Sequence, residues 1–231
     1  LMPGFSALAG DAAVLHRTYL QAFGLLMLLA VPAAVTVFVL ADLIVPVLLG
    51  TRWLDAVPLI RVLAIAGIFQ AMQSSCATAL IATGHPKSVM ATNALYACIL
   101  LCLLGLLVPL YGALGAAAAT VVSVLVATPV FLLNLRRYVG VPLAWLARQC
   151  WRPAVGALVI VAANAILVPA HTATSGTAQT IGWLGAGVVL ALVSYATTVV
   201  VLWWFSGRPA GAEEVVLSQL RTRWTRQFSS A

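Results

Sequence analysis

"SVMATNALYACILLCLLGLLVPLYGALGAAAATVVSVLVATPVFLLNL", residues 88–135, contains no charged side chain. A helix rises about 1.5 Å per residue, so roughly 20 apolar residues cross the roughly 30 Å hydrocarbon core of a bilayer. This run is long enough to cross twice, and "VPLYGALG" at 108–115 offers a break in its middle. Working outward, residues 18–41 and 62–84 are also free of charge, and 153–207 holds two more crossings divided by "PAHTATSGTAQ" at 169–179. The pattern predicts six spans, at about 20–41, 61–83, 88–109, 113–135, 153–170 and 180–205. The runs are continuously apolar and lack the ten-residue alternation of a barrel strand, so the fold class is all-α, a polytopic transmembrane helical bundle.

Composition agrees: 63% of residues are hydrophobic and 7% charged, and the mean hydropathy is +1.10. In a soluble protein a net charge of +7 would point to nucleic acid; here its distribution points to membrane orientation. Six crossings place both termini on one side. Arg17, Lys87, Arg136, Arg137, Arg148, Arg152, Arg208, Arg221, Arg223 and Arg226 fall on that side, and Arg52 and Arg61 on the other. Basic residues accumulate on cytoplasmic loops, so both ends are expected in the cytoplasm and no nucleic-acid partner is expected.

Four cysteines imply neither a disulfide framework nor a metal site, because Cys76, Cys98 and Cys102 lie inside predicted spans and Cys150 beside an interface. No signal peptide is visible, and the chain opens at Leu1 with a polar lead, which reads as an internal start of a longer protein. Residues 139–152 carry Arg148 and Arg152 four apart with Trp145 and Trp151, the mark of an amphipathic segment lying along the inner leaflet. Residues 207–231 form a basic tail in which Leu217, Leu220, Trp224 and Phe228 make one stripe, suited to anionic lipid.

The stretch "LLGTRWLDAVPLIRVLA", 48–64, reads as a tight outer turn: Gly50 reverses the backbone, Trp53 anchors at the interface, and Pro58 sits in a first helical turn where its missing N–H is not needed. Those words also resemble the corresponding segment of polysaccharide and lipopolysaccharide (O-antigen type) flippases of the multidrug/oligosaccharidyl-lipid/polysaccharide exporter superfamily. Three further segments resemble the family in order: "MPGFSALAGDAAVLHRTYLQ" at 2–21, "ALIATGHPK" at 79–87 and "PLYGALGAAAATVVSVL" at 109–125. The resemblance covers residues 1–138 and implies four spans of the second of two helical bundles. Residues 153–206 would then be two added helices, and the first bundle would lie outside this sequence.

The resemblance implies a transporter in a bacterial inner membrane that moves lipid-linked oligosaccharide of the polyprenyl diphosphate type between leaflets by alternating access. Its expected partners are that lipid, the surrounding membrane lipids, and proteins of glycan polymerisation or export. A multidrug exporter of the same superfamily is the nearest alternative.

Polar residues inside spans show where a cavity would lie, since each needs a partner or water. Gln70, Gln73 and Ser74 recur at i, i+3, i+4 in the second predicted span, with Ala77 continuing the face. They either line a cavity or bond to a neighbouring helix. Asn93 poses the same choice in the third span. Arg61, nine positions before Gln70, falls on the other side of the helix near its outer end, where it can snorkel or meet a diphosphate. Ala116, Thr120, Ser123 and Ala127 repeat as a small-residue packing face.

An enzyme, such as a membrane-embedded glycan or lipid transferase, would need clustered carboxylates, histidine or a metal at one membrane face. Asp11, Asp42, Asp55, Glu213, Glu214, His16, His85 and His171 are instead scattered. No catalytic residue, metal or cofactor is therefore expected.

Overall fold

The computed structural model describes residues 12–167 and 177–205. The polar lead before residue 12, most of the 169–179 break and the basic tail lie outside the described residues. Those described are almost wholly helical: α1 (Ala12–Val39), α2 (Ala41–Leu48), a 3₁₀ turn (Thr51–Ala56), α3 (Val57–Ala82), α4 (Pro86–Asn134), a π turn (Leu135–Val139), α5 (Leu143–Leu167) and α6 (Thr177–Phe205). Among the described residues, five helices are long and apolar enough to cross a membrane.

One of the five counts twice. In α4, Gly112 departs from helical geometry with φ 58° and ψ −133°. Asn134 donates to the Thr92 hydroxyl at 3.0 Å, and the rings of His85 and Tyr138 stand 4.6 Å apart. Both pairs are centred close to Gly112, so α4 is a hairpin of two antiparallel legs, residues 86–111 and 113–134. Gly115 lets the legs meet. A Cβ there would stand 2.2 Å from the Leu107 carbonyl oxygen, closer than any side chain tolerates. The all-α polytopic bundle expected from hydropathy is thus what forms, with α4 supplying its third and fourth apolar legs.

The helices pack with α1 between α3 and α5; α4 lies outside α3, and α6 lies outside α5. The main core gathers Tyr19 and Phe23 of α1, Cys76 and Leu80 of α3, Val89 and Phe131 of α4, and Leu135, Val141 and Leu146 beyond it. A second core joins Ile160 of α5 to Ala191, Tyr195 and Val199 of α6. The Tyr195 hydroxyl donates to the Leu28 carbonyl at 2.9 Å, tying α6 to α1. The first leg of α4 is the least covered. Its Leu101, Leu106 and Leu110 are 68%, 62% and 68% exposed, a surface that only lipid or another apolar body could cover.

Two connections carry more helix than their sequence pattern announces. The outer turn is longer than a tight reversal, because α2 and the 3₁₀ turn intervene and bury Ala41 and Val45 against Val57 and Ile60 as a small core of their own. Gly50 makes the reversal there with φ 89°, and Pro58 sits in the first turn of α3, as its chemistry requires. Residues 143–152, expected along the inner leaflet, are the first turns of α5 and run unbroken into its span through Pro153. Leu146 and Cys150 account for this by packing into the main core.

The α3–α4 connection is compact for a reason legible in "TGHPK". Gly84 takes φ 84°, its N–H reaches the Ile81 carbonyl at 3.1 Å, and the His85 N–H reaches the Leu80 carbonyl at 2.8 Å. That crossed pair is the glycine-dependent Schellman stop. Pro86 then opens α4 at a position where no N–H is needed.

Candidate functional site

The central turns of α3 carry Gln70, Gln73, Ser74 and Ala77, and the two legs of α4 close over them. Together with Asn93 and Tyr96 of the first leg and Phe131 of the second, they line a cleft of 260 Å³. Four of the five residues singled out from sequence therefore meet in one place.

Their environments differ, and the difference assigns them different work. Gln73 is half-buried, and its amide nitrogen donates to the Val124 carbonyl at 2.9 Å and to the Thr128 hydroxyl at 2.8 Å. The Thr128 hydroxyl in turn donates to the same Val124 carbonyl at 2.7 Å. Gln73 is thus a bolt between α3 and the second leg of α4. Gln70, Ser74 and Asn93 are exposed to the cleft, so their side chains are open to solvent or to a polar ligand. Tyr96 and Phe131 add aromatic surface beside these neutral donors and acceptors.

Arg61 does not join them. It stands nine residues before Gln70, about 13.5 Å along the helix axis, where its guanidinium pairs with the Asp42 carboxylate. Its Nε also approaches the Phe38 carbonyl at 3.4 Å. Both partners sit at the end of the bundle that bears the 48–64 turn, so Arg61 fastens α3 to the α1–α2 corner.

Sequence reasoning missed three residues here. Tyr96 could have been found, since it lies three positions after Asn93 and therefore on the same helix face. Thr128 and Phe131 could not, because they arrive from the returning leg, whose register against α3 has no local sequence signature. Among the described residues, no three His, Cys, Asp or Glu side chains gather as metal ligands.

The fold and cleft describe a multi-pass membrane protein class with a neutral, polar, half-open site between apolar helices. A family model described as "Polysaccharide biosynthesis protein" matches residues 1–58, which take in α1, α2 and the turn into α3. No curated protein and no solved structure matches the chain. The matched segment and the apolar helices fit a membrane protein of polysaccharide synthesis or export.

Proposed function

We propose that this chain is part of a transporter that carries lipid-linked oligosaccharide of the polyprenyl diphosphate type across a bacterial inner membrane, for polysaccharide or lipopolysaccharide export. The observation that carries the reading is the cleft itself. Gln70, Ser74 and Asn93 stand exposed within apolar spans, Gln70 near the middle of α3 and Asn93 about two turns into the first leg of α4, where an amide without a partner is costly unless water or a polar ligand meets it. Neutral hydroxyl and amide groups beside two aromatic rings suit sugar hydroxyls. The match to a polysaccharide biosynthesis family over residues 1–58 supports the same substrate class.

In this reading the chain is a carrier and not a catalyst. The cleft is one wall of a cavity opened to each leaflet in turn, and both termini are cytoplasmic. Alternating access needs one body to rock against another around a fixed site near the bilayer midplane, and the exposed first leg of α4 offers a face for that second body.

The test is export from cells in which the protein carries Gln70→Leu, Ser74→Leu or Asn93→Leu. Surface polysaccharide per molecule of membrane-inserted protein should fall about tenfold when cavity-lining polar groups are replaced. Unchanged export for all three at equal expression would remove the cleft from any transport pathway.

A further inference from the structure

A second cleft, of 620 Å³, opens at the α3–α4 turn. Its polar lining is His85, Lys87, Ser88, Thr92, Asn134 and Tyr138. Thr92 and Asn134 make the floor, joined at 3.0 Å, and the Thr92 hydroxyl donates to the Ser88 carbonyl at 2.9 Å. The Schellman stop fixes His85 at the rim against the Tyr138 ring. Arg137 stands over the same ring, its guanidinium carbon 5.7 Å from the centroid.

Four features give this cleft its chemistry. His85 and Lys87 bring proton-donating and cationic groups to the cleft itself, and Arg137 stands over the Tyr138 ring that borders it. The carboxylates of the described residues, Asp42 and Asp55, lie at the opposite end of the bundle, and Lys87 has no carboxylate partner among the described residues. His85 lines the cleft, and its Nδ1 is shut away from solvent without a hydrogen-bond partner among the described residues, which leaves the other ring nitrogen to meet a ligand. The first turn of α4 adds its partial positive charge at the same place.

We infer that the His85–Lys87–Tyr138 cleft binds a phosphate group, presented by the headgroup of an anionic membrane lipid. Phosphate oxygens accept strong, charge-assisted hydrogen bonds from ammonium, imidazole and hydroxyl donors, and this cleft offers all three with no acidic side chain beside them among the described residues. Its position favours a lipid as the source. The cleft lies at the end of an apolar hairpin, the level at which headgroups meet such helices, and α4 begins there at Pro86. The inference stands whether or not the neutral cleft, further along α3 and α4, carries a glycan.

The experiment titrates the full chain, in a neutral detergent, with short-chain phosphatidylglycerol, with the matching uncharged diacylglycerol and with inorganic phosphate, read by calorimetry. Phosphatidylglycerol should bind and the diacylglycerol should not. Lys87 is exposed, so Lys87→Gln should leave the fold intact while weakening lipid binding about tenfold, and Lys87→Arg should keep it within about threefold. His85→Gln should weaken binding as well, and Arg52→Gln at the opposite end should not. If inorganic phosphate binds with equal strength and the same Lys87 dependence, the phosphate site stands with free phosphate as its source. Binding that ignores both Lys87→Gln and His85→Gln, or equal binding of the diacylglycerol, would overturn it.

Discussion

Asn134 donates a hydrogen bond to the Thr92 hydroxyl across 3.0 Å although 42 positions separate the two residues. In one straight helix they would stand about 63 Å apart. The bond therefore reports a chain folded in two, and it ties the open ends of the two legs together. Gly112 permits the fold by adopting positive φ, and Gly115 permits the legs to close.

Gly115→Ala should destabilise the protein by about 1–3 kcal/mol, the usual cost of forcing a methyl into a packed contact. The added carbon would meet the Leu107 carbonyl oxygen at 2.2 Å, and backbone cannot swing aside as a flexible side chain can. Gly105→Ala is the control, because a Cβ there meets nothing within 4 Å and alanine suits a helix interior better than glycine. Thermal or denaturant unfolding of the full chain in mild detergent measures both. Equal stability of the two variants would contradict the close contact of the legs.

Gln73 and Gln70 sit one turn apart on α3 and should answer the same substitution differently. Gln73→Leu removes two bonds to the second leg of α4, and the expected loss is about 0.6–2 kcal/mol. The loss stays modest because Thr128 keeps its own bond to the Val124 carbonyl. Gln70→Leu should change stability by less than about 0.5 kcal/mol, as expected of an exposed side chain without such partners. A double-mutant cycle of Gln73→Leu with Thr128→Val isolates the Gln73–Thr128 contact. Zero coupling would mean that the contact contributes nothing.

The helices, and the residues that would meet between them, were largely legible in the sequence, because in a membrane chain the spacing of charge decides where helices cross. Gln70, Gln73, Ser74 and Asn93 could be placed on helix faces by period alone. Their division of labour could not. Whether Gln73 bonds to a neighbour depends on how far the second leg slides past α3, which Gly112 and Gly115 set through geometry that leaves no local pattern. The same limit applies to Leu146 and Cys150. Their amphipathic spacing fits a bilayer surface or a protein surface equally, and the core formed by Leu135 and Val141 takes them. From sequence Arg61 can snorkel at a helix end or meet a diphosphate, and the α2 helix that brings Asp42 to it is hidden in a stretch punctuated by Pro46 and Gly50.

The Arg61–Asp42 pair should contribute little to stability. Its side chains are 38% and 56% exposed, and pairs so open to solvent are screened and couple by about 0.2–1 kcal/mol. A cycle of Arg61→Gln and Asp42→Asn, measured by unfolding at low and high salt, should return a coupling in that range that shrinks with salt. A coupling of several kcal/mol would show that the corner is far less hydrated than its exposure indicates.

The hairpin and the charge distribution together predict which loops face which side of the membrane. Lys87, Arg136 and Arg137 lie at the end where α3 meets α4 and α4 ends, and Tyr111 and Thr51 belong to the turns at the opposite end. Basic residues favour the cytoplasm, so cysteine placed at Pro142, which is exposed, should be protected from an impermeant thiol reagent in intact cells. Cysteine at Thr51 or Tyr111 should react, with the native Cys76, Cys98, Cys102 and Cys150 replaced so that no other thiol contributes. Tyr111 is the decisive position: it is 66% exposed and lies next to Gly112, so it reaches the outer face only if α4 crosses twice. Labelling at Thr51 without labelling at Tyr111 would mean that the hairpin stops short of the far surface. Labelling at Pro142 from outside would invert the orientation of the whole bundle and place the phosphate cleft against the outer leaflet.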